Sequence, residues 1–280
     1  MRTIKLTLAY DGTDYAGWQA QPDCRTVQET LEAAIERVTG RKVRVLASGR
    51  TDAGVHALGQ VVGVRLETHL SPAVLRRALN AVLPHDVAVL EASEARDGFH
   101  AIRDAVRKRY RYVIHDGPVR EVFRRSMCWH YKRGRLNTEA MDRAAAALLG
   151  THDFSSFQTS GAERETTVRT VSHLRVTRSG GWPEDLQPPG EQGRGGEPEN
   201  LGEGDQQGRA KGRDWIVAEI EADGFLYNMV RAIAGTLVEV GRGAQGETWP
   251  AEVLLAADRK AAGPTAPPQG LFLVRVDYES

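Results

Sequence analysis

Residues 49–56 are the feature that most restricts how this chain can fold. Two glycines bracket a carboxylate, Asp52, and glycine permits a tight turn or a close approach to a ligand. Short apolar segments at 43–46 and 61–66 predict strands on both sides of the run. Asp52 is therefore predicted on a loop braced by a sheet, where folds usually present reactive groups. An aspartate that only shapes the turn is the simpler alternative.

The size and composition of the chain predict a globular protein with a sizeable core. It has 280 residues, of which 41% are hydrophobic, enough for one large domain or two smaller ones. Cys24 and Cys128 stand far apart and lack the spacing of a disulfide framework or a zinc site. The sequence contains neither a signal-peptide core nor an apolar stretch that spans a bilayer. We therefore expect a cytoplasmic protein without a membrane partner.

The charges are unevenly distributed, although the formal net charge is zero. The segment 180–214 holds eight acidic and four basic residues, which leaves the rest of the chain with an excess of four positive charges. Basic residues cluster at 103–111, 120–125 and 132–135. These clusters fit a phosphate-binding face, and a solvated basic surface without a partner explains them equally well.

The order of strand and helix patterns predicts an α+β fold. We expect two similar halves, residues 1–105 and 106–280, with a largely antiparallel central sheet, flanking helices and a catalytic cleft between the halves. The segment 180–212 is rich in Gly, Pro, Glu and Gln, which predicts a mobile insertion within a hairpin. The predicted strands include residues 4–10, 110–114, 171–176, 215–220 and 271–278, and the predicted helices begin after Thr26 and Ser71 or cover 141–149 and 225–240.

Motifs for other functions lack their structural context. Residues 241–246 match the glycine spacing of a dinucleotide-binding loop, but they follow a predicted helix rather than a strand. His152 and Asp153 have no second pair at metal-ligand spacing, and a structural role at a helix exit explains them better. The sequence also lacks the Gly-x-Ser-x-Gly elbow of a serine hydrolase.

Two segments combine aromatic residues with features that suit RNA. Residues 10–19 contain three aromatic residues among Gly and Asp, and residues 107–112 alternate basic residues with Tyr110 and Tyr112. Such aromatic side chains stack on unpaired bases. A hydrophobic lid over the first helix, and a strand that is basic only to stay soluble, are the alternatives.

Taken together, the motifs resemble one family closely, the TruA-type tRNA pseudouridine synthases. The resemblance covers residues 3–278, and the run at 49–56 is its most specific part. One departure is Ile102, at a position where family members commonly have Arg. The matching segments are residues 10–13, 17–19, 26–28, 49–57, 99–101, 110–112, 152–157, 228–231 and 270–274.

The resemblance implies a reaction and its partners. It implies isomerisation of uridine to pseudouridine in the anticodon stem-loop of tRNA, around tRNA positions 38 to 40. It also implies a homodimer and the use of neither a metal nor an organic cofactor.

The resemblance implies that Asp52 is the nucleophile or essential carboxylate. Whether it attacks C1′ of the ribose, attacks C6 of the base or abstracts a proton from C2′ stays open. Burial alone raises the pKa of a carboxyl group. Arg50 and Arg231 are therefore the implied partners that keep Asp52 ionised.

Three further residues are implied to hold the target base. Tyr110 stacks on it and has a hydroxyl available for proton transfer. Leu271 and Phe272 form an apolar wall that excludes water.

Two other classes of function are open from the residues alone. An RNA-binding module without catalysis uses the same surfaces and tolerates replacement of Asp52. A nucleoside or glycoside hydrolase pairs Asp52 with His56, but glycosidases need two carboxyl groups at a defined separation. No second acid stands out near Asp52 in the sequence.

Overall fold

The computed structural model describes residues 1–159, 166–183 and 214–279, and ten strands and five helices lie within these ranges. The strands are β1 (Arg2–Tyr10), β2 (Leu46–Ala47), β3 (His56–Leu66), β4 (Val87–Glu94), β5 (Ala105–His115), β6 (Trp129–His130), β7 (Gly150–Asp153), β8 (Val168–Ser179), β9 (Trp215–Ala222) and β10 (Leu271–Tyr278). The helices are α1 (Val27–Thr39), α2 (Pro72–Val82), α3 (Thr138–Ala145), α4 (Met229–Gly241) and α5 (Trp249–Ala256).

The ten described strands belong to one sheet, in the order β4-β1-β3-β10-β5-β9-β8-β7, with β2 paired to β3 and β6 paired to β5. The pairings are antiparallel except for two short parallel ones, β3 with β10 and β5 with β6. Because β10 lies between β3 and β5, strands from both halves of the chain form one continuous sheet. The predicted α+β fold with its largely antiparallel sheet is confirmed, whereas the boundary at residue 105 stays a prediction.

The first two helices begin where their capping residues predict. The Thr26 hydroxyl accepts the Glu29 N–H and donates to the Glu29 carboxylate, which stabilises the start of α1. Ser71 accepts the Val74 N–H at the start of α2, and a proline follows it. None of the described helices combines the length and apolarity that a membrane crossing requires.

The helix predicted over 225–240 begins later than its apolar spacing indicates. Asn228 has a φ of 61°, so the chain reaches α4 through a left-handed residue and the helix begins at Met229. The helix is also buried on nearly every side rather than amphipathic. A Cβ on Gly235 would lie 1.7 Å from the Pro264 carbonyl oxygen, because the 262–266 segment packs directly on the helix backbone.

Other sequence predictions need smaller corrections. The strand predicted over 43–46 is confined to Leu46–Ala47, and the helix predicted over 141–149 ends at Ala145. His152 and Asp153 lie on β7 rather than at a helix exit, since β7 pairs with β8. The predicted mobile insertion at 180–212 lies outside the described residues from 184 onward.

The two faces of the sheet have different partners. Successive side chains of a strand point to opposite faces. Tyr112 and Leu273 therefore lie on the face that packs with the helices in the main core. Val113 and Phe272 lie on the other face, in a small cluster with Cys128 and Trp215. We call these the helix face and the reverse face.

Candidate active site

The loop that carries Asp52 joins β2 to β3 and is anchored through Thr51. The Thr51 hydroxyl oxygen is 2.8 Å from the Tyr10 hydroxyl oxygen on β1, and the Thr51 carbonyl accepts the Trp18 N–H at 2.9 Å. Beyond Asp52 the chain turns, and the Val55 N–H donates to the Asp52 carbonyl at 3.1 Å. These bonds fix the backbone on both sides of Asp52.

Two glycines let the segment after β1 pack directly on this loop. A Cβ on Gly12 would lie 2.0 Å from the Val55 carbonyl oxygen, and a Cβ on Gly17 would lie 2.7 Å from the Thr51 carbonyl oxygen. Any side chain at these positions forces the two backbones apart. The aromatic residues of the same segment, Tyr15 and Trp18, are buried in the main core. The burial of Tyr15 and Trp18 favours the second interpretation of residues 10–19, a hydrophobic lid, over a surface on which bases stack.

The Asp52 carboxylate forms an ion pair with Arg231 in the first turn of α4. Arg231 Nη1 lies 3.2 Å from Asp52 Oδ2 and also donates to Asn228 Oδ1 at 2.8 Å. Arg231 Nε donates to the Ala266 carbonyl at 2.7 Å. Groups other than the carboxylate therefore also hold the Arg231 guanidinium in place.

The electrostatics of Asp52 combine two opposing effects. Burial raises the pKa of the Asp52 carboxyl above its ordinary value, and the charge and hydrogen bond of Arg231 oppose that rise. Among the described residues, Arg231 is the only side chain that hydrogen-bonds the carboxylate. The result is a carboxylate that is a better base than an ordinary aspartate and is 26% exposed.

Tyr110 approaches the same site from β5. Its side chain is buried, and its ring meets the Phe225 ring edge-on with 4.9 Å between centroids. Burial raises the pKa of the Tyr110 hydroxyl, and the neighbouring Tyr10 and the negative charge of Asp52 raise it further. The phenol is therefore neutral at physiological pH and keeps its O–H as a hydrogen-bond donor.

These groups line one cleft of about 1400 Å³. The cleft brings together the Asp52 loop, Tyr110 of β5, Arg231 of α4 and Leu271 of β10. Arg50 also lines it, exposed to solvent. No group of three or more potential metal ligands occurs in the described part of the chain.

Arg50 and Phe272 differ from their sequence predictions. Within the described residues Arg50 forms no ion pair, so the predicted contact with Asp52 is absent and Arg231 alone supplies the opposing charge. Phe272 lies outside the cleft, because Leu271 and Phe272 are adjacent on a strand and point to opposite faces. The predicted apolar wall consists of Leu271 without Phe272.

The arginines of β5 lie on the reverse face and form ion pairs with glutamates of β9. Arg111 forms an ion pair with Glu219 at 2.7 Å, and Arg109 forms one with Glu221 at 3.0 Å. β5 is also an inner strand rather than an edge. The interpretation of this basic run as a soluble edge strand is therefore wrong, whereas an RNA-facing strand stays a prediction.

Lys108 is the basic residue of this run that reaches the cleft, and sequence reasoning did not single it out. Its Nζ donates to the Ser48 carbonyl at 2.7 Å, just before the Asp52 loop. Lys108 and Tyr110 are two residues apart on a strand, so alternation alone places them on one face. That signal was available in the sequence.

Comparison with known proteins identifies the family. A family model described as "tRNA pseudouridine synthase" matches residues 7–102 and 144–279. The chain belongs to the tRNA pseudouridine synthase family. The resemblance predicted from the motifs is confirmed, and the family is one of isomerases that act on tRNA.

Curated tRNA pseudouridine synthases match the whole chain. The tRNA pseudouridine synthase A of Thermoanaerobacter sp. (strain X514) is 42% identical over 278 residues, which cover 99% of this chain and 100% of the relative. Those of Geobacter sulfurreducens and Moorella thermoacetica are 41% and 42% identical with the same coverage. Of the site residues, Asp52 lies in the first segment matched by the tRNA pseudouridine synthase model, Arg231 and Leu271 lie in the second, and Tyr110 lies between them.

Proposed function

We propose that this chain isomerises uridine to pseudouridine in the anticodon stem-loop of tRNA, around tRNA positions 38 to 40, with Asp52 as the essential carboxylate. One observation carries the proposal: a partly exposed carboxylate, paired with a fixed guanidinium, faces the same cleft as a neutral tyrosine. The relatives' printed names support tRNA as the substrate.

The reaction breaks the bond between N1 of uracil and C1′ of the ribose and forms a bond between C5 and C1′. The hydrogen on C5 leaves as a proton and N1 gains one, so the reaction involves no net oxidation or reduction. Asp52 acts from its ionised form, whether it attacks C1′, attacks C6 or removes a proton from C2′. Each route needs the anion that Arg231 maintains.

The other side chains of the cleft orient the base and keep water out. Tyr110 stacks on the target base and takes part in proton transfer through its hydroxyl, and the neutral state of that hydroxyl supports this role. Leu271 covers the apolar side of the cleft, where water would hydrolyse the detached base. Arg50 is exposed at the cleft and free of ion pairs with other described residues, which suits contact with the RNA backbone. The target nucleotide must leave the helical stack to reach Asp52.

We also propose that the protein acts as a homodimer in the cytoplasm, so that one tRNA contacts both subunits. The family resemblance supports the homodimer. The proposed tRNA substrate supports a cytoplasmic location.

The test is release of tritium from tRNA labelled at C5 of uridine, with wild-type protein and Asp52→Asn compared. Wild type releases tritium, and Asp52→Asn is at least about 10⁴-fold slower, because the nucleophile is lost. Affinity for tRNA stays within several-fold. Tight tRNA binding without release by either protein would make the chain an RNA-binding module. Free uracil as the product would make it a hydrolase.

A further inference from the structure

His56 is a buried residue that the proposed reaction does not use. It begins β3, four residues after Asp52, and its side chain is 2% exposed. We propose that His56 is a positioning residue: its ring ties the end of the Asp52 loop to residues 11–12 and so holds Asp52 opposite Arg231. This inference rests on the proposed function of Asp52.

The His56 ring is contacted on both nitrogens. Nδ1 lies 3.1 Å from the Gly12 backbone nitrogen and 3.0 Å from Asp11 Oδ1. Nε2 lies 2.8 Å from the Ser126 carbonyl oxygen and must donate to it, since a carbonyl only accepts. The ring also stacks on Phe272, with 4.8 Å between centroids. Three segments distant in sequence therefore meet at one imidazole.

The contact between Asp11 and His56 is favourable in the folded protein. Nδ1 has these two partners in alternative states: in the neutral ring it accepts the Gly12 N–H, and in the protonated ring it donates to Asp11 Oδ1 instead. The hydrogen bond from the His56 side chain lowers the pKa of the Asp11 carboxyl well below its ordinary value, and bonds from Thr13 add to this effect. The same oxygen, Asp11 Oδ1, also accepts the Thr13 N–H at 3.0 Å, which helps to fix the carboxylate. The His56 ring thus contacts a carboxylate, that of Asp11, which Thr13 keeps in position.

The position of His56 determines that of Asp52 through a short stretch of backbone. Val55 precedes His56, and its carbonyl packs against Gly12 so closely that no Cβ fits between them. The Val55 N–H in turn donates to the Asp52 carbonyl. Thr51 anchors the other end of the loop to β1. His56 and Thr51 therefore fix the two ends of a loop whose centre is the reactive carboxylate.

Arg231, the partner of Asp52, has contacts that do not depend on the Asp52 loop. Arg231 is held by Asn228 and by the Ala266 carbonyl. If the loop end shifts, Asp52 moves away from a guanidinium that stays in place. Catalytic geometry of this kind is sensitive to displacements of about 1 Å. We therefore expect loss of the contact with residues 11–12 to lower the rate of the chemical step more than the affinity for tRNA.

Two substitutions separate the two sides of the ring. The amide of His56→Asn lies near the place of Nδ1 and keeps a contact with residues 11–12, whereas the amide of His56→Gln lies near the place of Nε2 and keeps the contact with Ser126. His115→Gln is a matched control, because His115 is also buried on the reverse face but contacts Trp215 instead. Single-turnover tritium release, tRNA dissociation constants and hydrogen exchange of the 49–55 peptide are measured for each.

His56→Gln is expected to release tritium about tenfold more slowly than wild type, whereas His56→Asn and His115→Gln stay within about threefold. Dissociation constants for tRNA stay within about threefold for all. The 49–55 peptide exchanges about tenfold faster in His56→Gln than in His56→Asn, while peptides of β8 and β9 are unchanged. Wild-type rate and exchange in His56→Gln would overturn the proposal, as would rate losses that follow the folded fraction of each variant. Absence of tritium release from wild type would overturn the proposed function, and hydrogen exchange would still report whether His56 fixes the loop.

Discussion

The protein contains two arginine–aspartate pairs with opposite electrostatic outcomes. Asp52 receives one hydrogen bond from Arg231 at 3.2 Å. Asp116 receives two from Arg178 at 2.8 Å and a third from the Leu136 N–H at 2.9 Å. Burial alone raises the pKa of both carboxyls. The hydrogen bonds to Asp116 outweigh its burial and lower its pKa, whereas the pKa of Asp52 stays raised.

The difference shows what makes a carboxylate reactive in this fold. Asp116 is fully buried with its oxygens bonded, so it ties β8 to the segment before α3 and has no capacity left for a substrate. Asp52 is partly open to the cleft, and Arg231 is the one donor found for it among the described residues. The same two residue types therefore stabilise the fold in one place and present an anion in the other.

Among substitutions in the partners of the two aspartates and their neighbours, the largest effect is expected from Arg231→Ala, which is smaller than the loss expected for Asp52→Asn. Turnover falls by about 10³-fold, because the charge that opposes the burial of Asp52 is lost. The pKa of Asp52 rises further, and since the ionised form is active, the acid limb of the rate–pH profile moves to higher pH. The measurement is single-turnover tritium release from pH 5 to pH 9. Arg231→Lys keeps the charge and leaves the limb near its wild-type position, and an unmoved limb in Arg231→Ala would contradict the assignment.

A smaller effect is expected from Asp116→Asn, and on stability rather than turnover. Asp116→Asn removes the negative charge that faces the Arg178 guanidinium in a buried pair, so the free energy of unfolding falls by about 3 kcal/mol. Because the pKa of Asp116 is lowered by folding, its contribution is present above pH 4 and is lost as the pH falls further. Urea unfolding at pH 7 and pH 3 measures both effects. A loss of turnover in the folded variant would mean that the pair is more than structural.

The smallest effect is expected from Tyr110→Phe, which removes only the hydroxyl. Tritium release slows by about 10²-fold, the lower end of what lost general acid–base assistance costs, while the free energy of unfolding changes by less than about 0.5 kcal/mol. Tyr112→Phe is the matched control on the same strand face. It loses the hydrogen bond to the Pro267 carbonyl, so it costs about 1 kcal/mol of stability and less rate. Unchanged kinetics in Tyr110→Phe would leave that residue a packing role.

Local signals predicted the elements that carry the site. The spacing between Thr26 and Glu29 predicts the start of α1, and the glycines around Asp52 predict its loop, because both depend on neighbouring residues alone. The position of Phe272 was predictable from alternation along the strand, and applying that rule would have removed it from the cleft.

Contacts between distant residues were beyond a single sequence. Arg231 and Asp52 are 179 positions apart, and only the family resemblance linked them. Glu219 and Glu221 alternate with the same period as the arginines of β5. The sequence of either strand does not predict the register in which β5 and β9 pair. The pair of Asp116 and Arg178 gave no signal, since each looks like an ordinary surface charge in the sequence.

The central position of β10 has a consequence for synthesis on the ribosome. β3 and β5 emerge early, but the strand that joins them comes only with residues 271–278. A nascent chain therefore contains the Asp52 loop long before Leu271 completes the cleft around it. Until then the residues of β3 and β5 that pair with β10 lack this partner, and exposed strand edges are prone to aggregate. A chain that stops before residue 271 therefore lacks both the strand that joins β3 to β5 and the Leu271 side of the cleft, whatever part of it has already folded.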